Sequence, residues 1–509
     1  MRWRRLWFDS EVMRLMGMTA LVKPVGLLTQ ALLANYFGAG IRLDAFAFAL
    51  FLVEFLDQTM GAVFRAVVVP LTIKLKRIMN PQQLFRFQNA IYPIFILPVL
   101  LYMGFLVVRG GLVVDWLGPS LPPETKAYIV NMLKIMALPG VALLVVTMLK
   151  ATLNLNRKFR LVGTMPLLNG VVMLGTLVLF HERLGIWVLP VGFAISNLGQ
   201  LLWLGIHARA TRCMVPMRPS LPPGMVAQLW SLSWMVLVAH IFLTVNKFID
   251  KMFAASLEPG SISSINYAMT IMNFGVQLFT LSLVAIMFTR MSEFFARGDM
   301  GAGSGYIHNN LKHVTRIVMP VSLALCVASG EIVRVLFQHG AFDAADTQRT
   351  AGALAMYLLG LPAVIINAIV GRIYHSLQRL RDRMWLAAQF LLTNALGNFL
   401  LVKSLQVVGL AISSTVAVNL HLILGLVVLQ RYRIGLAAGS FLAIVVRAYV
   451  LTTITFLVYW LSGFGTLMSE WEIGVTLYGA VLVAACRFCF IIAVYVAGLL
   501  IWRWLEKRR

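Results

Sequence analysis

Apolar residues run through this chain in stretches of about twenty or more, separated by short polar connections. Crossing the hydrocarbon core of a bilayer takes about 20 mostly apolar residues, and fourteen segments meet that length. They lie near 14–37, 44–69, 87–108, 127–151, 161–181, 185–206, 226–253, 264–289, 313–337, 350–371, 384–402, 408–430, 439–461 and 475–502. The pattern predicts an all-α integral membrane protein with 14 transmembrane helices. No connection is long enough to hold a separate soluble domain, so function is expected inside the membrane or at its two surfaces.

Composition agrees. Apolar residues make up 60% of the 509, mean hydropathy is +0.85, and only 12% are charged, where a soluble domain carries about a quarter. The charge that remains is unevenly spread. Even-numbered connections hold Lys74, Lys76, Arg77 and Arg86, then Arg157, Lys158 and Arg160, then Arg209, Arg212 and Arg218. The series continues with Arg290, Arg297 and Lys312, then Arg372, Arg379, Arg381 and Arg383, then Arg431 and Arg433. Both ends are basic as well (Arg2, Arg4, Arg5; Lys507, Arg508, Arg509). Odd-numbered connections hold few cations and several acids, among them Asp115, Glu124, Glu258, Asp343 and Asp346. Short Lys/Arg-rich loops stay in the cytoplasm, so both termini are expected inside. The net charge of +24 is then a signature of topology and of attraction to anionic lipid. It implies no nucleic-acid partner.

The first apolar segment is too long for a signal-peptide core and no small-residue cleavage site follows, so a retained helix is expected. Cys213, Cys326, Cys486 and Cys489 fall in helices or a cytoplasmic connection, which argues against disulfides. Cys486 and Cys489 form a CxxC inside an apolar helix with no second pair, a packing pattern and not a metal site. No GxxxxGK[ST] loop or catalytic constellation is present. The expectation is a transporter and not an enzyme, with no cofactor, driven by the membrane potential or by coupling to H+ or Na+.

The chain also repeats itself. Leu138-Pro139-Gly140 leads to Leu155-Asn156-Arg157 and a span carrying Asn169; Leu361-Pro362-Ala363 leads to Leu377-Gln378-Arg379 and a span carrying Asn394. A fainter echo joins Gly40 and Phe46-Ala47 to Gly260 and Tyr267-Ala268. Internal repeats of this kind are common in transporters, with the substrate site between them. The offset covers six helices, so the halves insert with the same orientation about a pseudo-two-fold along the membrane normal. Expected boundaries are an N-terminal six-helix lobe at 1–215, a C-terminal six-helix lobe at 216–435, and two extra helices at 436–509.

Four stretches carry a resemblance: ANYFGAGIRLDAF (34–46), LNLNRKF with PLLN (153–169), SLEPGSISSINYAM (256–269) and FQHGAFDAADTQRTAGALAMYLLGLPA (337–363). Together they make the chain similar to the MurJ/MviN family of the multidrug/oligosaccharidyl-lipid/polysaccharide exporter superfamily. The resemblance spans essentially the whole chain. It implies two lobes around a central cavity, helices 13 and 14 forming a lipid-facing groove, and translocation of undecaprenyl-pyrophosphate-linked sugars between leaflets of the bacterial inner membrane. Membrane lipids and envelope polysaccharide synthesis proteins are the implied partners.

Charges inside spans are costly and usually face a wet interior or a partner. The cations are Lys23, Arg65, Lys134, Lys150, Lys247 and Lys251, with Arg447 and Arg487 in the extra pair; the acids are Asp44, Glu54, Asp57, Asp250 and Glu331. A pyrophosphate that loses its water needs cations or N–H donors. Lys23, beside Pro24 and Gly26, is the foremost candidate, with Arg65 free to snorkel to the surface instead. Lys247 and Asp250 can pair at a spacing of three, as can Glu331 and Arg334. Glu54 and Asp57 are like charges at the same spacing; they form a proton or sodium site or, preferably, pair with Lys23 or Arg65. Arg447 and Arg487 serve either helix packing or a lipid headgroup and carrier tail.

By the resemblance, Lys23 matches a basic family position and Asp44 the acid after the Gly-Ala-Gly turn. Thr29, the pair Asp57 and Gln58, and Thr270 stand where the family carries arginines. Losing much of a cationic cluster should change the headgroup held, so the cargo is either lipid II or an exopolysaccharide repeat unit. The candidate cavity residues are therefore Lys23, Thr29, Asp44, Glu54, Asp57, Arg65, Lys247, Asp250 and Thr270. The rival classes are a cation-coupled drug exporter of the same superfamily and a non-transporting scaffold of an envelope-assembly complex.

Overall fold

The computed structural model describes residues 10–76, 78–156, 158–210, 225–279, 300–376, 379–431, 438–464 and 477–508. Cys213, Arg290, Arg297 and the far end of the eighth predicted span lie outside these residues. Among the described residues the regular structure is entirely helical. We number the helices α1 (Ser10–Phe37), α2 (Ile41–Leu75), α3 (Pro81–Leu117), α4 (Pro123–Leu155), α5 (Phe159–Leu184), α6 (Val188–Ala210) and α7 (Met225–Ala254). They are followed by α8 (Ser261–Phe279), α9 (Met300–Val327), α10 (Ser329–Phe337), α11 (Ala344–Ser376), α12 (Leu380–Gln430), α13 (Ala438–Leu461) and α14 (Leu477–Arg508).

Nine helical stretches among the described residues are long and apolar enough to cross a membrane, or ten when the bent pair α9–α10 is taken as one span. Two of the nine, Leu161–Arg209 and Arg381–Gln430, run to 49 and 50 residues, roughly twice the length one crossing needs. Each doubles back. In the first, Gly185 takes φ +54 between α5 and α6, and Ser196 of α6 hydrogen-bonds Asn169 of α5 while Gly192 lies against Met173 and Thr176. In the second, a single residue reverses α12: Gln406 takes φ 48, ψ −130. The two halves then pack antiparallel, with Gly409 against Leu401, Gly397 against Ser413, and Ser414 donating to Asn394 at 3.1 Å. The predicted spans 384–402 and 408–430 are these two halves.

The ninth predicted span, 313–337, is not one straight helix. It breaks at Ala328, and α9 and α10 meet at 66°.

Packing divides the chain into Met1–Ile262 and Ser263–Arg509. In the first unit α4 is central, touching α2, α3 and α6; α1 lies on α5 and α7 on α2. The Leu138-Pro139-Gly140 motif owes its glycine to this crowding. A Cβ on Gly140 would sit 2.7 Å from Val53 of α2 and 2.8 Å from Met103 of α3, so only hydrogen lets three helices meet there. The division falls later than residue 215 because α7 packs on α2. In the second unit α11 packs on α9, α10 and α12. The extra helices α13 and α14 seat on α9 through Met319, Ala448, Leu451 and Tyr495, and through Leu323, Tyr459 and Ile491.

Large apolar side chains point outward from both units, including Leu101, Trp116, Leu179, Leu202, Phe399 and Leu461. Apolar exposure on this scale calls for an apolar surrounding, as the hydropathy pattern requires.

Candidate functional site

The polar side chains of the first unit gather on α2, where α4 and α7 meet it. Phe51, Glu54, Phe55, Gln58 and Arg65 recur at spacings of three, four and seven, which places them on one side of the helix. Glu54 Oε2 accepts from Gln58 Nε2 at 3.0 Å. Two lysines of α7, Lys251 and Lys247, act on the Glu54 carboxylate electrostatically. Lys251 Nζ donates to Ala47 O at 2.8 Å and sits 5.4 Å from the centre of the Phe51 ring. Phe51 in turn stacks on Phe248 of α7 at 4.8 Å. One cation thus ties α7 to α2 by a hydrogen bond, a carboxylate and an aromatic face.

One turn on, Asp57 is buried at 7% exposure. Thr147 of α4 and the charges Arg65, Lys150 and Glu54 are the groups that act on its carboxylate. Lys150 Nζ donates to Gln200 Oε1 of α6 at 3.0 Å. Arg65 lies in a π-helical turn, Phe64–Val68. Pro70 follows two residues later and has no N–H to offer, and the ladder slips so that Val69 N bonds Phe64 O.

Asp44 stands apart from the others. Its Oδ2 accepts from the backbone N–H of Gly260 at 2.7 Å, so it braces the turn that precedes α8. On α1, Thr29 is buried and donates to Val25 O at 2.8 Å, while Lys23 is half-buried and makes no ion pair among the described residues. Lys247 is exposed and Asp250 buried, and Lys247 acts on Glu54. In the second unit Thr270 donates to Asn266 O at 2.8 Å.

Two of the expected pairings give way to contacts between helices. Glu54 associates with Lys251 and Lys247, not with Lys23. Arg65 acts on the Asp57 carboxylate electrostatically. Glu331 pairs with Arg487 of α14, not with Arg334, and that bridge joins α10 to α14 with both side chains largely buried. Arg487 therefore has a packing role. Arg447 is exposed and lies 5.8 Å from the Trp502 ring. Lys150 and Lys251 were visible in the sequence as span cations without a role; the position of Lys251 one turn after Lys247 is the signal that places both on one face. Thr147 and Gln200 carry no sequence signal at all.

Residues 33–482 match the family described as Lipid II flippase MurJ. The chain belongs to the MurJ family. Relatives include the Lipid II flippase MurJ of Burkholderia cenocepacia, 26% identical over 423 residues that cover 80% of this chain and 81% of the relative. The Probable lipid II flippase MurJ of Buchnera aphidicola subsp. Acyrthosiphon pisum is 25% identical over 466 residues, 90% of each chain. Among solved structures, Lipid II flippase MurJ in an inward closed conformation superposes with TM-score 0.77 at 18% identity, covering 96% of this chain and 100% of that one. An inward-facing MATE family multidrug resistance transporter gives 0.67 at 11% identity, covering 82% and 95%. These superpositions establish the fold.

Proposed function

We propose that this chain is a flippase. It moves an undecaprenyl-pyrophosphate-linked saccharide, lipid II or an exopolysaccharide repeat unit, from the cytoplasmic to the periplasmic leaflet by alternating access. The observation that carries the reading is the match of residues 33–482 to a family of lipid II flippases. The charged face on α2 and α7 is the chemistry such a cargo head needs.

In this reading the chain crosses the inner membrane fourteen times with both ends in the cytoplasm. Support comes from the two doubled-back stretches near 50 residues and from the charge bias of the connections. Lobes at 1–215 and 216–435 repeat one another about an axis along the membrane normal. Support for the repeat comes from an Asn–Ser hydrogen bond in the corresponding hairpin of each unit, Asn169 with Ser196 and Asn394 with Ser414. Helices at 436–509 guide the polyprenyl tail. Lys23, Thr29, Glu54, Asp57, Arg65, Lys247, Asp250 and Thr270 belong to the cavity, with Asp44 bracing its rim. Energy comes from the membrane potential or an H+ or Na+ gradient; a potential supplies about 2.3 kcal/mol per charge per 100 mV, enough to bias a cycle that moves one or two charges. Thr29, Asp57 and Thr270, at positions where the family resemblance expects arginine, favour a headgroup other than the common one.

The test is leaflet-resolved labelling of lipid-linked sugars in cells depleted of this protein. Accumulation on the cytoplasmic leaflet is expected. An unchanged distribution removes the reading, and the sugar that accumulates identifies the cargo.

A further inference from the structure

Asp57 is a carboxylic acid in an enclosed setting, and its surroundings are more specific than a helix interior requires. Its Oδ1 is buried with no hydrogen-bond partner among the described residues, while Thr147 of α4 acts on the carboxylate. Gly61, one turn on, leaves the space that this arrangement uses. A Cβ there would come within 2.9 Å of Thr147 Cγ2 and 3.2 Å of Arg65 Nη1. The absent side chain lets the guanidinium fold back along the helix toward the acid.

Every helix packed on α2 contributes. α4 brings Thr147 and Lys150; α7 brings Lys251 and Lys247 to the adjacent Glu54. From α3, Tyr102 donates to Leu52 O at 3.0 Å and so is occupied by backbone. Glu54 has Gln58 and two lysines as partners. Of these two acids, Asp57 carries the buried oxygen without a partner among the described residues.

A buried polar atom without a partner is unfavourable, and the chemistry of the site selects what relieves it. A hard metal ion wants about six or more oxygen ligands. Here the oxygens are few, two cations face the acid, and no cluster of three metal-ligating side chains exists among the described residues. A proton needs one oxygen lone pair. We propose that the Asp57 carboxyl, with its buried unpartnered oxygen and flanked by Arg65 and Lys150, is a proton-binding site within the membrane-spanning bundle. Loading transfers one proton from water to Asp57 Oδ1 and removes the counter-charge of Arg65. Proton binding and anion binding by Arg65 then favour each other, since coupling between two sites is reciprocal. The coupling rests on the flippase reading; the proton site does not.

Infrared titration of the purified full chain in nanodiscs tests the site with no cargo present. As pH falls, wild type should gain a protonated-carboxyl band that Asp57→Asn lacks and Glu54→Gln retains. Thr147→Val keeps the side chain's shape but withdraws the hydroxyl that favours the charged carboxylate, and should move the midpoint to higher pH by about one unit. The same band in Asp57→Asn as in wild type overturns the proposal, as does its loss in Glu54→Gln alone. If Asp57→Asn does not fold, Thr147→Val decides, an unmoved midpoint being the adverse result. Wild-type proteoliposomes scored for flipping keep the two readings apart. A titrating Asp57 in vesicles that flip no lipid-linked saccharide leaves the proton site standing and removes the flippase.

Discussion

The backbone amide of Gly260 donates to Asp44 Oδ2 at 2.7 Å across 216 residues of chain. Gly260 takes φ +91, and a Cβ there would lie 2.4 Å from Ala39 O, so the two turns that open α2 and α8 meet with no room for a side chain. Asp44→Ala should cost about 1–3 kcal/mol by leaving a buried amide unpaired, and Asp44→Asn less, because an amide oxygen still accepts. Gly260→Ala should cost more than either, since it adds both strain and a clash. Thermal unfolding in nanodiscs checks the order. Equal stability of Gly260→Ala and wild type would mean the turns do not touch.

A second effect should have the opposite sign. Gln406 holds φ 48, ψ −130, a conformation that glycine reaches easily and other residues do not. It is the single residue on which α12 reverses. Gln406→Gly should stabilise the chain by about 1 kcal/mol, read as a higher unfolding temperature, whereas Gln406→Pro should prevent the reversal from forming.

The Glu331–Arg487 bridge is buried, with side-chain exposures of 7% and 15%. Removing one partner strands a charge among apolar side chains, so Arg487→Leu should destabilise by about 3–5 kcal/mol, while Glu331→Leu with Arg487→Leu together should recover most of the loss. A double mutant as unstable as the single one would assign Arg487 a lipid-facing role instead. The readout is the unfolding midpoint of each variant in the same lipid.

How much of this was legible beforehand depends on the range of the interaction. The spans were legible because burial in lipid imposes a long apolar run wherever it occurs, and the hairpin at 402–408 showed even though its turn has no Pro and no Gly before Gly409. The break at Ala328 left no trace: Ala-Ser-Gly inside an apolar run reads as continuous helix. The Leu-Pro-Gly motif was visible as a repeat, but its reason, the approach of Val53 and Met103, comes from two other helices. Pairing was the weakest inference. Spacing along one helix proposes Lys247 with Asp250 and Glu331 with Arg334, yet Glu54 found its lysines on α7 and Glu331 its arginine on α14. An ion pair between helices 156 residues apart in sequence, Glu331 with Arg487, carries no local signature.

Lys23 separates function from stability most cleanly. It is half-buried on α1 beside Pro24 and makes no ion pair among the described residues, so truncating it strands no buried partner. Substitutions away from such features usually change stability by no more than about 0.5 kcal/mol. Lys23→Ala should therefore insert at wild-type abundance and unfold at the wild-type temperature, yet fail to restore growth to a strain depleted of this protein. Lys23→Arg, which keeps the charge and adds bidentate donors, should restore it at least in part. Full activity of Lys23→Ala would mean that the cation does not hold the cargo, and attention would pass to Arg65 and Lys247, two exposed cations within the spans of α2 and α7.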